Sequence, residues 1–147
     1  MYNYNFSFKE YKKIIIKYKD FFIDYADIKN KDSFVLLRHD VEFSPKNALD
    51  IAQIEYAYGV KSSFLFQVNS NAYNILSIKN RRIIKNILDL GHKVGLHFFC
   101  NHIRKNDWES FEKNLIEQKQ IINNILDYKC ERFSYHRPPD WVLTKRD

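Results

Sequence analysis

The sequence has little cysteine, glycine or proline, and it has no long hydrophobic run. Its two cysteines, Cys100 and Cys130, form no Cys-x-x-Cys pair, which argues against a disulfide scaffold and favours free thiols in a reducing compartment. Three glycines and three prolines argue against a disordered chain. No stretch is long enough to span a bilayer, and the aromatic, charged N-terminus lacks the features of a signal peptide. We therefore predict a cytoplasmic protein without membrane association.

The composition is that of a globular chain. Hydrophobic residues make up 45% of the 147 residues and aromatic residues 16%, which is enough for an ordered core in one domain. The net charge of +6 comes from 24 basic and 18 acidic residues, and the basic residues are spread along helical faces. This distribution is typical of solvated helices, so we predict no nucleic-acid partner.

Helix boundaries are marked by capping residues and by apolar residues at three- and four-residue spacing. Ser7 and Glu10 form a capping box before a helix predicted over about 8–25. Ser44 and Pro45 begin a second helix, which Gly59 ends. Two further helices are predicted over about 79–90 and from about 106 onward. We divide the chain into an N-terminal helical segment, 1–33, which packs on a domain formed by 34–147.

Four segments between these helices are predicted as strands. They read "FVLLRH", which we expect to be buried on both faces, "VKSSFLFQV", "HKVGLHFF" and "ERFSYH". Strands that alternate with helices pair in parallel, so we predict an α/β fold with an open sheet or a partial (β/α) barrel. In such folds the ligand site lies at the carboxyl ends of the strands. Four of the five histidines follow those ends in this sequence.

The strongest candidates for chemistry are Asp40 and Glu42. They stand two residues apart at a strand end, so both carboxylates point to the same side. Two such carboxylates repel each other unless a cation lies between them or one keeps a proton. His97 ends the third strand, and an imidazole with a carboxylate is a common partial ligand set for zinc or a similar ion. The alternative is an exposed acidic turn that caps the next helix.

Other polar residues near these strand ends have two interpretations each. His102 follows His97 by five residues and reaches the same metal only if the chain turns between them; otherwise it is a solvated loop residue. Arg137 either pairs with Asp40 and keeps it ionised as a base or is a surface arginine in a proline turn. His92 stands at the start of a strand, so we expect it to be structural. Four residues are predicted to contact substrate: Asn69, Tyr73, His136 and Pro138.

The ordered motifs "LLRHDVEFS", "IAQIEYAYGVKSSFLF", "YNILSIKN", "LGHKVGLHF" and "FSYHRPP" resemble the polysaccharide deacetylase superfamily, also called the carbohydrate esterase or NodB-homology superfamily. The resemblance covers roughly 34–139 and is nearest to the branch whose first motif reads His-Asp-Val-Asp or Glu. It implies a distorted (β/α) barrel and a divalent metal, with zinc favoured and nickel or cobalt as alternatives. It also implies hydrolysis of an N-acetyl group or a related C–N bond.

The resemblance implies a role for each matching residue. Asp40 matches the catalytic base, Glu42 the acidic metal ligand and His97 the first histidine ligand. Arg137, with the two prolines after it, matches the Arg-Pro-Pro motif that orients the base. The second histidine of the family stands four residues after the first, where this chain has an asparagine, and His102 substitutes by a shift of one residue. The implied mechanism is metal-assisted hydrolysis, in which the base accepts a proton from water.

The sequence departs from the family after the fourth strand. Where many members continue the Arg-Pro-Pro motif with an aromatic residue and a glycine, this chain has Asp140 and Trp141. The family barrel has about three more strands, and its general-acid histidine comes from them. We therefore expect these residues to form the amino-terminal portion of such a domain.

Three functional hypotheses follow. The leading one is a deacetylase-like hydrolase that acts on an N-acetylated carbohydrate or nucleotide-sugar intermediate. The alternative is a truncated, non-catalytic domain that binds a ligand or a complementary chain, because an open sheet edge after the fourth strand favours self-association or such pairing. A weaker alternative is a hydrolase of a non-sugar amide or imide.

Overall fold

The computed structural model describes residues 7–30 and 32–145. Its helices are α1 (Phe8–Tyr18), α2 (Pro45–Ala57), α3 (Ile78–Asp89), α4 (Trp108–Leu126) and α5 (Asp140–Leu143). Its strands are β1 (Phe22–Ile23), β2 (Val35–Leu36), β3 (Arg38–Val41), β4 (Ser63–Phe66), β5 (Lys93–Phe99) and β6 (Phe133–His136). Two 3₁₀ segments, Lys19–Phe21 and Tyr25–Asn30, flank β1. Residues 1–6 and 146–147, which belong to the two predicted segments, lie outside the described residues.

The main sheet is parallel, with its strands in the order β3, β4, β5, β6. Helices α2, α3 and α4 form the crossovers between successive strands, and β1 pairs with β2 in a separate two-stranded parallel sheet. The four strands curl into a half-barrel. The predicted α/β fold with parallel strands in a partial barrel is therefore confirmed.

The two faces of the half-barrel carry different residues because side chains alternate along a strand. One face is apolar and packs beneath the helices, where Phe64, Phe66 and Phe98 are fully buried. The concave face carries the polar residues that extend from the carboxyl ends of the strands. On that face Gly95 leaves room for close packing, because a Cβ there would lie 2.2 Å from Leu65 Cδ2 and 2.7 Å from the backbone oxygen of Arg132, the residue before β6.

Capping by serine is confirmed where it was predicted. The Ser7 hydroxyl accepts from the Glu10 amide at 3.3 Å, and the Ser44 hydroxyl accepts from the Asn47 amide at 3.2 Å. The long helix begins at Trp108, with Asp107 as its cap. Local capping chemistry therefore fixes these helix starts.

The first predicted helix and the first predicted strand differ from the structure. The helix ends at Tyr18 instead of Tyr25, because Phe22–Ile23 pairs with Val35–Leu36 as a strand. The predicted strand is divided at Leu37 into β2 and β3, and β3 is only partly buried, with Arg38 exposed. Tertiary pairing outweighs local periodicity in the first case. In the second, β3 is the first strand of its sheet and lacks a neighbour within it on one side.

In the described residues, no helix combines the length and the apolar character that crossing a membrane requires.

Both Cys100 and Cys130 are buried free thiols, as the sequence predicts.

Candidate metal and catalytic site

Three side chains converge at the carboxyl end of the concave face. Glu42 follows β3, His97 lies in β5 and His136 ends β6. His136 Nδ1 lies 3.0 Å from Glu42 Oε1 and 3.0 Å from His97 Nε2. The distance between His97 Nε2 and Glu42 Oε1 is 3.4 Å. Two imidazole nitrogens and one carboxylate oxygen thus form a compact triangle.

The spacing of this triangle can be compared with that of a metal's ligands. Ligand atoms about 2.1 Å from a tetrahedral zinc ion lie about 3.4 Å from one another, and about 3.0 Å apart in octahedral geometry. The three observed distances span this interval. Two histidines and one carboxylate are also a ligand set used for zinc and other divalent metals. The residues therefore fit a divalent metal without rearrangement of the strands.

Asp40 lies beside the triangle and is held by two neighbours. Arg38 Nη2 donates to Asp40 Oδ2 at 2.9 Å, and the Ser134 hydroxyl donates to Asp40 Oδ1 at 3.1 Å. His97 Nδ1 is 3.8 Å from Asp40 Oδ1. Asp40 and Glu42 therefore lie on the same side of the strand, as their spacing of two predicts. Glu42 contacts His97 directly, and Asp40 bonds Ser134, which also contacts His97.

The protonation of the triangle suits a metal. Partial burial acts to raise the pKa of Glu42, but the contacts of its carboxylate with the His97 and His136 imidazoles outweigh burial and hold the pKa below its ordinary value. Burial lowers the pKa of His97, and Asp40 and Glu42 only partly oppose this shift. An ionised carboxylate and a neutral imidazole are the forms in which these residues bind metals.

The structure places His102 away from this triangle. The residue is exposed in the turn after β5, its Nε2 lies 3.4 Å from Asn114 Oδ1, and its ring stacks on Phe99. His136, which the sequence predicts as a substrate contact, occupies the third corner. The register that pairs Phe99 with His136 brings it there. A sequence signal was available, because His136 ends the fourth predicted strand, "ERFSYH".

No hydrogen bond or ion pair joins Arg137 to Asp40 within the described part of the chain. Among the described residues, the guanidinium that bonds Asp40 belongs to Arg38, on the same face of β3. Arg137 is exposed, has a positive φ of 46° and lines the neighbouring cavity. Sequence reasoning missed Arg38, although its spacing of two from Asp40 is the same signal that relates Asp40 to Glu42.

A shallow cavity of about 190 Å³ adjoins the triangle. Its lining comprises Glu42, Phe43, Gln67, Asn69, Ser70, Asn71, Ala72, Phe99, His136 and Arg137. The predicted substrate contacts Asn69 and His136 are among these residues, whereas Pro138 is half-buried outside the lining.

Tyr73 has a structural role instead of a place in the cavity lining. Its hydroxyl donates to Val41 O at 2.7 Å and accepts from the Gln67 amide at 2.8 Å. These bonds tie together the carboxyl ends of β3 and β4. The hydroxyl uses both its hydrogen and a lone pair in these bonds. It therefore stabilises the carboxyl ends of β3 and β4, and Glu42 directly follows β3.

Comparison with known proteins gives a likeness to solved structures. No model of a known protein family matches the sequence, and no curated protein matches it. Among solved structures, the crystal structure of a mutant of a CE4 family pseudoenzyme with restored enzymatic activity matches with a TM-score of 0.55 at 20% sequence identity. The match covers 74% of this chain and 39% of that chain. This chain therefore shares the fold of a CE4 family, polysaccharide deacetylase-like protein over about two fifths of that protein's length.

Proposed function

We propose that this half-barrel is a polysaccharide deacetylase-like hydrolase. In this proposal a divalent metal, zinc by preference, is held by Glu42, His97 and His136 and assists hydrolysis of an N-acetyl C–N bond on a carbohydrate or sugar-derived substrate. The observation that carries the proposal is the triangle of two imidazole nitrogens and one carboxylate oxygen, 3.0 to 3.4 Å on a side, beside Asp40. The sequence motifs and the CE4-like fold support the substrate class.

The residues around the triangle divide the chemistry between them. When bound, the metal polarises the acyl oxygen and lowers the pKa of water. Asp40 accepts the proton from the attacking water as a general base. Arg38 and Ser134 each bond one oxygen of the Asp40 carboxylate, which fixes the orientation of the base. Glu42 and His97, in their ionised and neutral forms, keep the metal in place.

The cavity beside the triangle is where the acyl group and the sugar bind in this proposal. Phe43 is 77% exposed at its edge, which leaves an aromatic face available for stacking against a ring. Asn69, Asn71 and Gln67 offer amide donors and acceptors in the same lining. An aromatic face with a few amides suits a polar, uncharged ring substrate such as a sugar. We propose that this substrate is a cytoplasmic sugar or nucleotide-sugar intermediate.

A second candidate is a non-catalytic domain that binds a ligand or a complementary chain. It is favoured by the position of β6 at the end of the sheet in the part of the chain that the structure describes. Amide hydrolysis also requires an acid for the leaving amine, and the family resemblance assigns that histidine to strands beyond the fourth. In this candidate the metal triangle is retained for binding.

Acetate release separates the two candidates. The chain is loaded with zinc, nickel or cobalt and incubated with N-acetylated chitooligosaccharides or an N-acetylated nucleotide sugar. The hydrolase proposal expects acetate from the wild type and its loss in Asp40→Asn, a variant that keeps all three metal ligands. Equal acetate release by both proteins contradicts the role of Asp40. A metal-loaded wild type that releases no acetate favours the non-catalytic candidate.

A further inference from the structure

Ser134 connects the general base to a metal ligand. Its hydroxyl oxygen lies 2.7 Å from His97 Nδ1 and 3.1 Å from Asp40 Oδ1. The residue is 7% exposed, so water has little access to replace either bond. Ser134 is the register partner of His97 on the adjacent strand, whereas Asp40 comes from β3 on the other side of the half-barrel. One buried hydroxyl therefore touches two residues with different functions.

The direction of these two hydrogen bonds follows from their chemistry. A serine hydroxyl has one hydrogen to donate and two lone pairs that accept. An ionised carboxylate only accepts, so the Ser134 hydrogen points to Asp40. The Ser134 oxygen then accepts from His97, which places the imidazole proton on Nδ1. His97 Nε2 is left with its lone pair directed at Glu42 and His136.

We propose that Ser134 is a positioning residue that holds His97 as the Nδ1–H tautomer while it orients the carboxylate of Asp40. This inference rests on the proposed metal site and adds to it a residue that neither the motifs nor the resemblance assigns. The Ser134 side chain thereby leaves His97 Nε2 free to bind the metal and orients the carboxylate of Asp40. A metal-binding histidine is commonly oriented by a hydrogen bond to its other ring nitrogen, and loss of such a partner costs about 10- to 100-fold in metal affinity.

Two substitutions at this position separate positioning from packing. Ser134→Ala removes the hydroxyl, so Asp40 Oδ1 and His97 Nδ1 both lose a buried partner. Ser134→Thr retains the hydroxyl and adds a methyl group. We expect zinc affinity to fall about 10- to 100-fold in Ser134→Ala and to stay within about threefold of the wild type in Ser134→Thr. Equal affinity in the wild type and Ser134→Ala overturns the inference.

The tautomer is measured in the metal-free full chain at one fixed pH. Long-range ¹H–¹⁵N NMR spectra of the imidazoles, with His97 identified by the signals missing in His97→Ala, show which ring nitrogen carries the proton. We expect Nδ1–H in the wild type; an Nε2–H signal overturns the inference even if Ser134→Ala fails to fold. Because this experiment needs no metal, a wild type that binds no zinc defeats the proposed function while the tautomer still decides the role of Ser134.

Discussion

The side chains of Asp40 and Ser134 meet although they come from the first and last strands of the main sheet. Their oxygens are 3.1 Å apart, while β4 and β5 lie between their strands. In a flat sheet, three spacings of about 4.8 Å would separate these strands by about 14 Å. Two short side chains bridge that separation only because the sheet is strongly curled. The curl therefore assembles the candidate site, and it brings β6 to the base on β3.

Gly95 is expected to be necessary for this curl. An added Cβ would lie 2.2 Å from Leu65 Cδ2 and 2.7 Å from Arg132 O, and the backbone atom cannot move aside without shifting β6. We expect Gly95→Ala to lower the free energy of unfolding by about 1–3 kcal/mol and to weaken metal binding. Urea denaturation and calorimetric zinc titration measure the two effects.

Gly59→Ala is the matched control for this substitution. Gly59 has a φ of 72° but nothing within 4 Å of an added Cβ, so the variant carries backbone strain without a contact in the sheet. We expect it to lose about 1 kcal/mol of stability and to keep its zinc affinity. If Gly95→Ala is as stable as the wild type and binds zinc with the same affinity, the close packing at Gly95 is dispensable.

A buried carboxylate, Glu55, makes stability dependent on pH. It is fully buried and accepts hydrogen bonds from Ser62 Oγ at 2.5 Å and from the Tyr11 hydroxyl, with His39 Nε2 at 2.6 Å. Burial acts to raise its pKa, but the bond and charge of His39, with the bonds from Ser62 and Tyr11, outweigh burial and hold the pKa below the ordinary value of 4.5. A depressed pKa stabilises the fold above the unfolded-state value, and this stabilisation is lost as the pH falls through the folded-state value.

Glu55→Gln is therefore expected to change the acid limb of the stability curve. At pH 7 the variant should be less stable by about 1–3 kcal/mol, because it leaves charged or polar partners imperfectly bonded in the interior. The deficit should shrink as the pH falls below about 4.5, since the wild type then loses the contribution of the ionised carboxylate. Urea denaturation from pH 3 to pH 8 measures this, with the exposed Glu112→Gln as control. If the free energies of unfolding of the wild type and Glu55→Gln change in parallel with pH, Glu55 does not stabilise the fold as an ionised carboxylate.

The two arginines near the site are expected to have separate effects on catalysis. Arg38 bonds Asp40, so Arg38→Ala should lower kcat by about fivefold, as expected for a partly exposed ion pair of about 1 kcal/mol, with little change in zinc affinity. Arg137 lines the cavity, so Arg137→Ala should raise KM instead. Steady-state acetate release gives both constants. A loss of kcat confined to Arg137→Ala would restore the role that the sequence motif assigns to that residue.

Part of the candidate site could be predicted from the sequence because that part depends on local rules. Asp40, Glu42 and His97 follow from the period of two along a strand and from the carboxyl-end rule for parallel sheets. The third corner does not, because it requires the register between β5 and β6 that pairs Phe99 with His136. The path of the turn that carries His102 away is likewise a tertiary property.

The same distinction explains the difference at the amino-terminal end. Apolar residues at helical spacing continue to Tyr25, but α1 ends at Tyr18. Pairing of Phe22–Ile23 with Val35–Leu36 joins segments more than ten residues apart, and no local pattern specifies it. By contrast, capping by Ser7 and Ser44 was predicted correctly because each cap is settled within four residues.

Zinc binding by His136→Ala and His102→Ala tests the metal site most directly. Both histidines are candidates for the third metal ligand. His136 Nδ1 lies 3.0 Å from Glu42 Oε1, whereas His102 lies in an exposed turn. Calorimetric titration of metal-free protein should give one zinc per wild-type chain, the same affinity in His102→Ala, and a loss of about 100-fold or more in His136→Ala. Loss of zinc in His102→Ala with retention in His136→Ala, or no zinc bound by the wild type, would contradict the proposed site.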